Sequence, residues 1–203
     1  MTAFSVEYLY HYFDKTRGPF RSLTALPFAE AKAVLLARQA QNPRSVSPRI
    51  GWFLTRRYAD EKTVREQFIS IGGKPVRTAP VYCTLGPNEG MKTWFDNADC
   101  IKMPVSAFDP DTVSFTYGDM FAVFNPALAT GEEWWGKVYR YEEIVRLIEK
   151  YGLPEDPVYD MKKWIFPKDK PINQYLKYVE AQVWSDGVLD RYRGNTGTLL
   201  ADE

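Results

Sequence analysis

The chain has 203 residues with 26 basic and 26 acidic side chains, a balance that excludes a protein binding polyanions through its overall field. Its 45% apolar content is typical of one sizeable globular core. Cys83 and Cys100 belong to no CxxC pair and there is one histidine, so we expect reduced thiols, no zinc site and no metal. We expect one domain over residues 1–193, a mobile tail over 194–203, no membrane segment and a cytoplasmic location.

The first third of the chain predicts a strand and two helices. Residues 6–13 are rich in strand-forming side chains. A helix over about 27–41 begins at a proline, which suits a first helical turn. A longer helix over about 53–71 ends at two glycines, and within it Glu61 and Arg65 have the i,i+4 spacing of an ion pair.

The remainder of the chain predicts a β-rich region, a helix and a late strand. Apolar periodicity places the helix over 141–151. Four prolines make 154–172 an irregular flap. In the run FTYGDMF, Gly118 and Asp119 interrupt a strand pattern, as a bulge, a backbone approached by ligand or a plain turn would. The fold class expected is a single α+β domain with about three main helices and a mixed, mostly antiparallel sheet, whose middle strands lie within 80–85, 99–105 and 112–119.

Five arginines cluster across the second loop and second helix. Exposed charged side chains usually form a solvated surface. The guanidinium fork also suits phosphate oxygens. Both interpretations stay open for this set, which comprises Arg44, Arg49, Arg56, Arg57 and Arg65.

The late strand, within Gln174–Gly187, has an unusual alternation of side chains. Its core-type face carries valines and an alanine, whereas its other face places the Glu180 carboxylate beside an amide and between aromatic rings. An unpaired buried carboxylate is costly, so we expect a polar ligand against this face. The second face consists of Tyr178, Glu180, Gln182 and Trp184.

The sequence lacks GxSxG, GxGxxG and GxxxxGK[ST], the key residues of α/β-hydrolases, Rossmann enzymes and P-loop proteins. Any histidine-dependent chemistry must use His11. A lone strand histidine is more often packed or exposed than catalytic, so a structural role is the alternative.

Two segments carry a resemblance to a known family. The early run YLYHYF with His11 and the late run YVEAQVWSD with Glu180 resemble the two ends of the diphtheria-toxin type of ADP-ribosyltransferase, and the late run also resembles DNA-targeting ADP-ribosyltransferase toxins. The whole chain further resembles uncharacterised bacterial proteins that share GPFRSL, FTYGDMF and EVQVWSD-like segments. The latter resemblance implies no activity.

The transferase resemblance implies NAD as substrate. It implies that His11 holds the NAD ribose, that Glu180 hydrogen-bonds the nicotinamide ribose, and that the central tyrosine is Tyr82 or Tyr117. Tyr178, Trp184 and the central tyrosine could stack on nicotinamide and exclude water. The acceptor stays open among arginine, a nucleic-acid base, a small molecule and water. The oligomeric state stays open too.

Two other functions compete with this one. The first is a non-catalytic binding or regulatory module with an aromatic-lined pocket, in which Glu180 pairs with a cation and His11 lies elsewhere. The second is a glycosidase-like hydrolase using Glu180 with Asp186 or Asp119. The transferase hypothesis requires His11 and Glu180 to point into one cavity from neighbouring or next-but-one strands, on the same face of the sheet.

Overall fold

A computed structural model describes residues 6–41, 46–129, 131–154 and 178–193. The predicted flap beyond residue 154 and the predicted tail lie outside these residues. Among the described residues, no helix has the length and apolarity needed to cross a membrane. Cys83 and Cys100 are both free thiols.

Five strands and five α-helices make up the described chain. In order they are β1 (Tyr8–Asp14), α1 (Phe28–Gln41), α2 (Ile50–Ser70), β2 (Val81–Leu85), β3 (Ala98–Pro104), β4 (Val113–Thr116), α3 (Met120–Val123), α4 (Tyr141–Tyr151), β5 (Val179–Val183) and α5 (Gly187–Arg193). Short 3₁₀ turns occupy Leu23–Ala25, Glu89–Trp94, Val105–Ala107, Pro110–Thr112 and Pro126–Leu128.

The strands form one sheet in the order β3-β1-β2-β5-β4. All four neighbouring pairs are antiparallel. The expected α+β class is confirmed, and the three predicted helices are present as α1, α2 and α4. The sheet contains no parallel pair among the described strands. In the strand order, β2 lies between β1 and β5, so these two strands are next but one to each other.

The two faces of the sheet differ in chemistry. The apolar face joins the main core with α4 and α5, through side chains that include Leu9, Cys83, Phe115, Ala181 and Ile144. The opposite face, here called the polar face, includes Tyr82, Thr84, Ser114, Thr116, Glu180 and Gln182.

Helices α2 and α3 lie against the polar face. Val64 and Phe68 of α2 pack with Met120 of α3 and Trp184 just after β5. Helix α1 packs on α2 through a smaller cluster around Leu35 and Leu54. The sheet is therefore covered by helices on both sides.

One predicted ion pair is wrong. Glu61 pairs with Arg57, whose Nε lies 3.0 Å from Glu61 Oε1. Arg65 instead donates to the carbonyl oxygens of Pro75 and Arg77. Glu61 has an arginine four residues before it, Arg57, and another four residues after it, Arg65. Glu61 pairs with Arg57 because its side chain turns toward the sheet, where it is 4% exposed.

The packing of α2 on the sheet generates a stability prediction. Phe68 is fully buried, so Phe68→Ala should lower the free energy of unfolding by about 3–5 kcal/mol. The neighbouring Ile69 is 47% exposed, so Ile69→Ala should change it by about 0.5 kcal/mol or less. Denaturant melts of both variants test this, and equal losses would contradict the packing described.

Candidate functional site

The middle of the polar face is a connected set of buried hydrogen bonds. Gln182 Nε2 donates to Glu180 Oε1 (3.0 Å) and to Thr116 Oγ1 (3.1 Å). Ser114 Oγ donates to Gln182 Oε1 at 2.8 Å, and Trp184 Nε1 donates to Ser114 Oγ at 2.8 Å. These bonds fix the Gln182 amide, which in turn fixes the Glu180 carboxyl group.

Glu180 is 3% exposed. Burial, followed by the negative charge of Asp119, raises the pKa of Glu180 to about 8. Arg57 and hydrogen bonds from Gln182 and the Met120 backbone N–H act in the opposite direction. The carboxyl group is therefore mainly protonated at pH 7.

Asp119 supplies a second carboxylate beside Glu180. Gly118 has φ 128°, a conformation that glycine adopts without strain, and it turns the chain from β4 into α3. Asp119 then caps α3 by accepting the Phe121 N–H at 2.8 Å. Its other oxygen accepts the Tyr178 hydroxyl at 3.1 Å. Gly118 and Asp119 therefore form a turn between β4 and α3, and the approach of a ligand to this backbone stays a prediction.

Glu180, Asp119 and the buried polar groups around them are here called the cluster around Glu180. Arg57 places a planar cation against this cluster. Its guanidinium carbon lies 3.9 Å from the centre of the Tyr82 ring and 5.6 Å from that of Phe121. Tyr82 also donates its hydroxyl to Glu61 Oε1 at 2.7 Å. Burial disfavours the Arg57 charge, but the acidic groups of Tyr82, Glu61, Glu180 and Asp119 outweigh burial and raise its pKa. The cluster thus stabilises a planar cation stacked on a tyrosine.

The outer edge of the cluster is cationic and aromatic. Arg56 donates to Asp60 and to the Phe121 carbonyl oxygen. Its guanidinium carbon lies 5.8 Å from the centre of the Trp52 ring, and Trp52 is 56% exposed. The Arg57 side chain is 21% exposed. The aromatic and arginine side chains therefore lie nearer to solvent than the carboxyl groups do.

His11 is not part of this cluster. Leu9 pairs with Leu85 and Tyr10 with Thr84, and Thr84 in turn pairs with Glu180. Directly paired residues share a face, so Tyr10 shares the face of Glu180, and His11 lies on the apolar face. The expectation of one cavity holding His11 and Glu180 is wrong, although their strands are next but one.

The surroundings of His11 give it a structural role. Its Nδ1 hydrogen-bonds the Tyr82 carbonyl oxygen at 2.8 Å, and its Nε2 accepts the Phe20 N–H at 2.9 Å. Phe20 has φ 60°, an unusual conformation for a bulky residue, and its ring stacks on His11 at 4.8 Å. His11 therefore holds the strained Phe20 backbone, and it has no ring nitrogen left for a ligand.

The predicted aromatic residues divide between the two faces. Tyr82 and Tyr178 belong to the cluster around Glu180, so of the two residues expected as a central tyrosine it is Tyr82 that lies beside Glu180. Tyr117 is wrong as an alternative, because it packs in the main core and donates its hydroxyl to the Gly152 carbonyl oxygen. Trp184 is fully buried against Val64 and Phe68 and cannot stack on a ligand.

The four arginines of this set that the structure describes do not form one surface. Arg44 lies outside the described residues, Arg49 is exposed, and Arg65 binds backbone carbonyl groups. Arg56 and Arg57 alone border the cluster. Of the two carboxylates proposed as partners of Glu180, Asp119 is adjacent, whereas Asp186 pairs with Arg77 beyond the end of β5.

Sequence reasoning missed the roles of Arg57, Glu61, Ser114 and Thr116. A signal for the last two was present, since Ser114 and Thr116 alternate with Val113 and Phe115 along β4. Arg57 carried no such signal, because the arginine-rich run resembles a solvated helix face.

Comparison with protein-family models, with curated proteins and with solved structures found no match. In the part of the chain described here, no group of three or more His, Cys, Asp or Glu side chains has the arrangement of a metal site.

The raised pKa of Glu180 generates a pH prediction. Between its ordinary pKa of 4.5 and about 8, the folded protein holds a proton that the unfolded chain releases. Wild type should therefore gain stability relative to Glu180→Gln as the pH falls from 8 to 5, by about 3–5 kcal/mol. Denaturant melts across this range check the difference, with the exposed Glu149→Gln as the control. A flat difference between wild type and Glu180→Gln would contradict the buried neutral carboxyl group.

His11 generates a prediction of opposite sign. Burial lowers its pKa to about 4, partly offset by the hydrogen bond to Tyr82. The neutral ring therefore stabilises the fold above pH 6.5, and this contribution, about 3 kcal/mol, should be lost as the pH falls from 6.5 to 4. His11→Phe should be less stable than wild type at pH 7 and should lose this acid sensitivity. The melts would refute the structural role if the variant were as stable as wild type at neutral pH.

Proposed function

We propose that the chain is an NAD-dependent enzyme that cleaves the nicotinamide–ribose bond at the cluster around Glu180, in a site without the shared His11–Glu180 cavity of the diphtheria-toxin type. The observation that carries the proposal is the position of Arg57, a planar cation stacked on Tyr82 and surrounded by the carboxyl groups of Glu61, Asp119 and Glu180. The nicotinamide ring of NAD is also a planar cation. It would take the place of the guanidinium when the partly exposed Arg57 side chain moves toward solvent.

The chemistry assigns a role to each carboxyl group. When the bond between the ribose carbon and the nicotinamide nitrogen breaks, nicotinamide leaves with the bonding electrons and the ribose becomes an oxocarbenium-like cation. Asp119 and Glu180 would stabilise that cation, and fixed groups of this type contribute about 3–4 kcal/mol. A cationic ligand beside Glu180 would lower the pKa of the Glu180 carboxyl group. Glu180 would therefore lose its proton as NAD binds.

The outer side chains suit the rest of the same ligand. Arg56 and Arg57 lie where the pyrophosphate would leave the cluster, and guanidinium groups bind phosphate oxygens in a fork. Trp52 offers an exposed ring for a base. His11 has no part in this version of the site, which therefore differs from the diphtheria-toxin arrangement. A nucleic acid, a protein or water would be the acceptor, and a cytoplasmic location would provide NAD.

A second candidate is a non-catalytic binding or regulatory module. The observation favouring it is that Glu180 already receives hydrogen bonds from Gln182 and the Met120 N–H, while Arg57 already pairs with Glu61. A polar network satisfied in this way can serve a purely structural purpose. The two candidates differ in what Glu180 is needed for.

The test combines NAD binding by calorimetry with nicotinamide release on the full chain. Glu180→Gln and Asp119→Asn should keep NAD affinity within about threefold while lowering release on the order of 10²–10³-fold, because they act mainly in the transition state. Asn still caps α3, which protects the fold of the second variant. Glu149→Gln, on the exposed side of α4, is the matched control.

Two results would overturn the enzyme proposal. One is the absence of NAD binding by wild type at millimolar concentration. The other is a large loss of melting temperature in Glu180→Gln with unchanged nicotinamide release per folded molecule, which would favour the structural network. His11→Phe should retain NAD binding per folded molecule, whereas a site of the diphtheria-toxin type would lose it.

A further inference from the structure

The amide group of Gln182 is held in one orientation from two sides. On the first side, the Ser114 hydroxyl oxygen accepts the Trp184 indole N–H at 2.8 Å, and the Ser114 hydroxyl donates to Gln182 Oε1, also at 2.8 Å. An indole N–H can only donate a hydrogen bond. Trp184 therefore leaves the Ser114 hydrogen for the amide, and this requires the amide oxygen to lie on the Ser114 side.

The second side of the amide is determined in the opposite sense. The Thr116 hydroxyl donates to the Gly118 carbonyl oxygen at 2.8 Å, and a carbonyl oxygen can only accept. The Thr116 oxygen therefore accepts, and Gln182 Nε2 donates to it at 3.1 Å. A half-turn of the amide would bring two donors together at Ser114 and two acceptors together at Thr116. Ser114, Thr116 and Gln182 are fully buried, so solvent does not replace a lost partner.

The Gln182 amide thereby connects both acidic positions of the cluster around Glu180. Its nitrogen donates to Glu180 Oε1 at 3.0 Å. Through Thr116 it also supports the turn at Gly118, which the Gly118 N–H closes on the Thr116 carbonyl oxygen at 2.9 Å. Asp119 is the next residue, and its side chain caps α3. The positions of the two carboxyl groups therefore depend on one uncharged side chain.

We propose that Gln182 is a positioning residue that holds Glu180 directly and Asp119 through the preceding turn. This positioning is a property of the protein without ligand. The role of Gln182 in turnover rests on the proposed function, in which Glu180 and Asp119 stabilise the ribose cation. Gln182 acts through these two carboxyl groups and needs no contact with NAD.

The charged and titratable groups that face Glu180 come from several elements. They are Arg57 of α2, Tyr82 of β2, Asp119 before α3 and Tyr178 before β5. Among the described residues, none of these side chains is hydrogen-bonded to the Gln182 side chain. A change in the titration of Glu180 after substitution of Gln182 therefore reports the loss of the amide.

The first test is the variant Gln182→Met, which removes the amide and keeps the length of the side chain. The lost N–H favours the ionised form of Glu180. The midpoint of the Glu180 carboxyl titration, followed by NMR without NAD, should therefore rise by about one pH unit or more. Gln67→Met is the matched control, because the Gln67 amide also bonds on both sides, to the Gly136 carbonyl oxygen and the Val138 N–H. It should leave the midpoint unchanged.

A pair of variants at Thr116 tests the link to Asp119 and serves also if Gln182→Met fails to fold. Valine has nearly the shape of threonine without the hydroxyl, whereas serine keeps the hydroxyl. Thr116→Val should raise the Glu180 midpoint by less than Gln182→Met does. It should also speed amide hydrogen exchange at Phe121, whose N–H Asp119 accepts, about fivefold. Thr116→Ser should match wild type in both measurements.

Nicotinamide release from NAD tests the role in turnover. The pH midpoint of kcat/KM reports the free enzyme, so in Gln182→Met it should rise together with the NMR midpoint, whereas Gln67→Met keeps the wild-type profile. A wild type that releases no nicotinamide refutes the proposed function, and the NMR titrations still decide the positioning. An unchanged Glu180 midpoint in Gln182→Met, or unchanged Phe121 exchange in Thr116→Val, overturns the positioning proposal.

Discussion

Burying the Glu180 carboxyl group in the middle of a five-stranded sheet is the constraint around which this side of the molecule is arranged. A buried ionised carboxylate without partners costs several kcal/mol, whereas the protonated form needs only hydrogen bonds. The pKa of Glu180 is raised to about 8, which keeps the carboxyl group protonated and neutral at pH 7. Gln182 and the Met120 N–H donate hydrogen bonds to it. The remaining polar groups of the face follow from that requirement.

The hydrogen bonds extend the effect of Glu180 to both neighbouring elements. Gln182 must point its amide nitrogen at Glu180, so its oxygen is left to accept from Ser114, whose hydroxyl oxygen then accepts from Trp184. This series joins β4 to β5 and fixes Trp184 in the cluster with Phe68. A core of valines would hold the same strands together. The polar series is therefore more than strand pairing requires.

The same cluster gives the proposed function its physical basis. Several acidic groups converge on a position held by a planar cation over Tyr82, and arginines and Trp52 stand between it and solvent. A ligand carrying a cationic ring at one end and phosphates at the other would match this order. The internal pairing of Arg57 with Glu61 also means that such a ligand must compete with the protein's own side chain. In the proposed function, that competition would limit the affinity for the ligand.

The sequence predicted elements well and relations between elements poorly. Apolar periodicity placed α4 over 141–151, as observed, and the alternation in YVEAQVWSD separated Glu180 and Gln182 from Val179 and Ala181. Alternation within one strand cannot say which face it shares with another strand, because that depends on register. The pairing of Tyr10 with Thr84 decided the matter, and a shift of one residue would have put His11 on the same face of the sheet as Glu180. Arg57 was hidden for a similar reason, since its burial depends on a sheet that the helix sequence does not specify.

The most direct measurement for this account is the protonation of Glu180 itself. Carbon-detected NMR of protein labelled at the glutamate side-chain carboxyl carbon, with the Glu180 signal assigned through its loss in Glu180→Gln, would follow the carboxyl group from pH 4 to 9. The account predicts a midpoint near 8 that falls when Asp119 is replaced by Asn, because Asp119 contributes to the raised pKa. A midpoint near the ordinary value of 4.5 would contradict it.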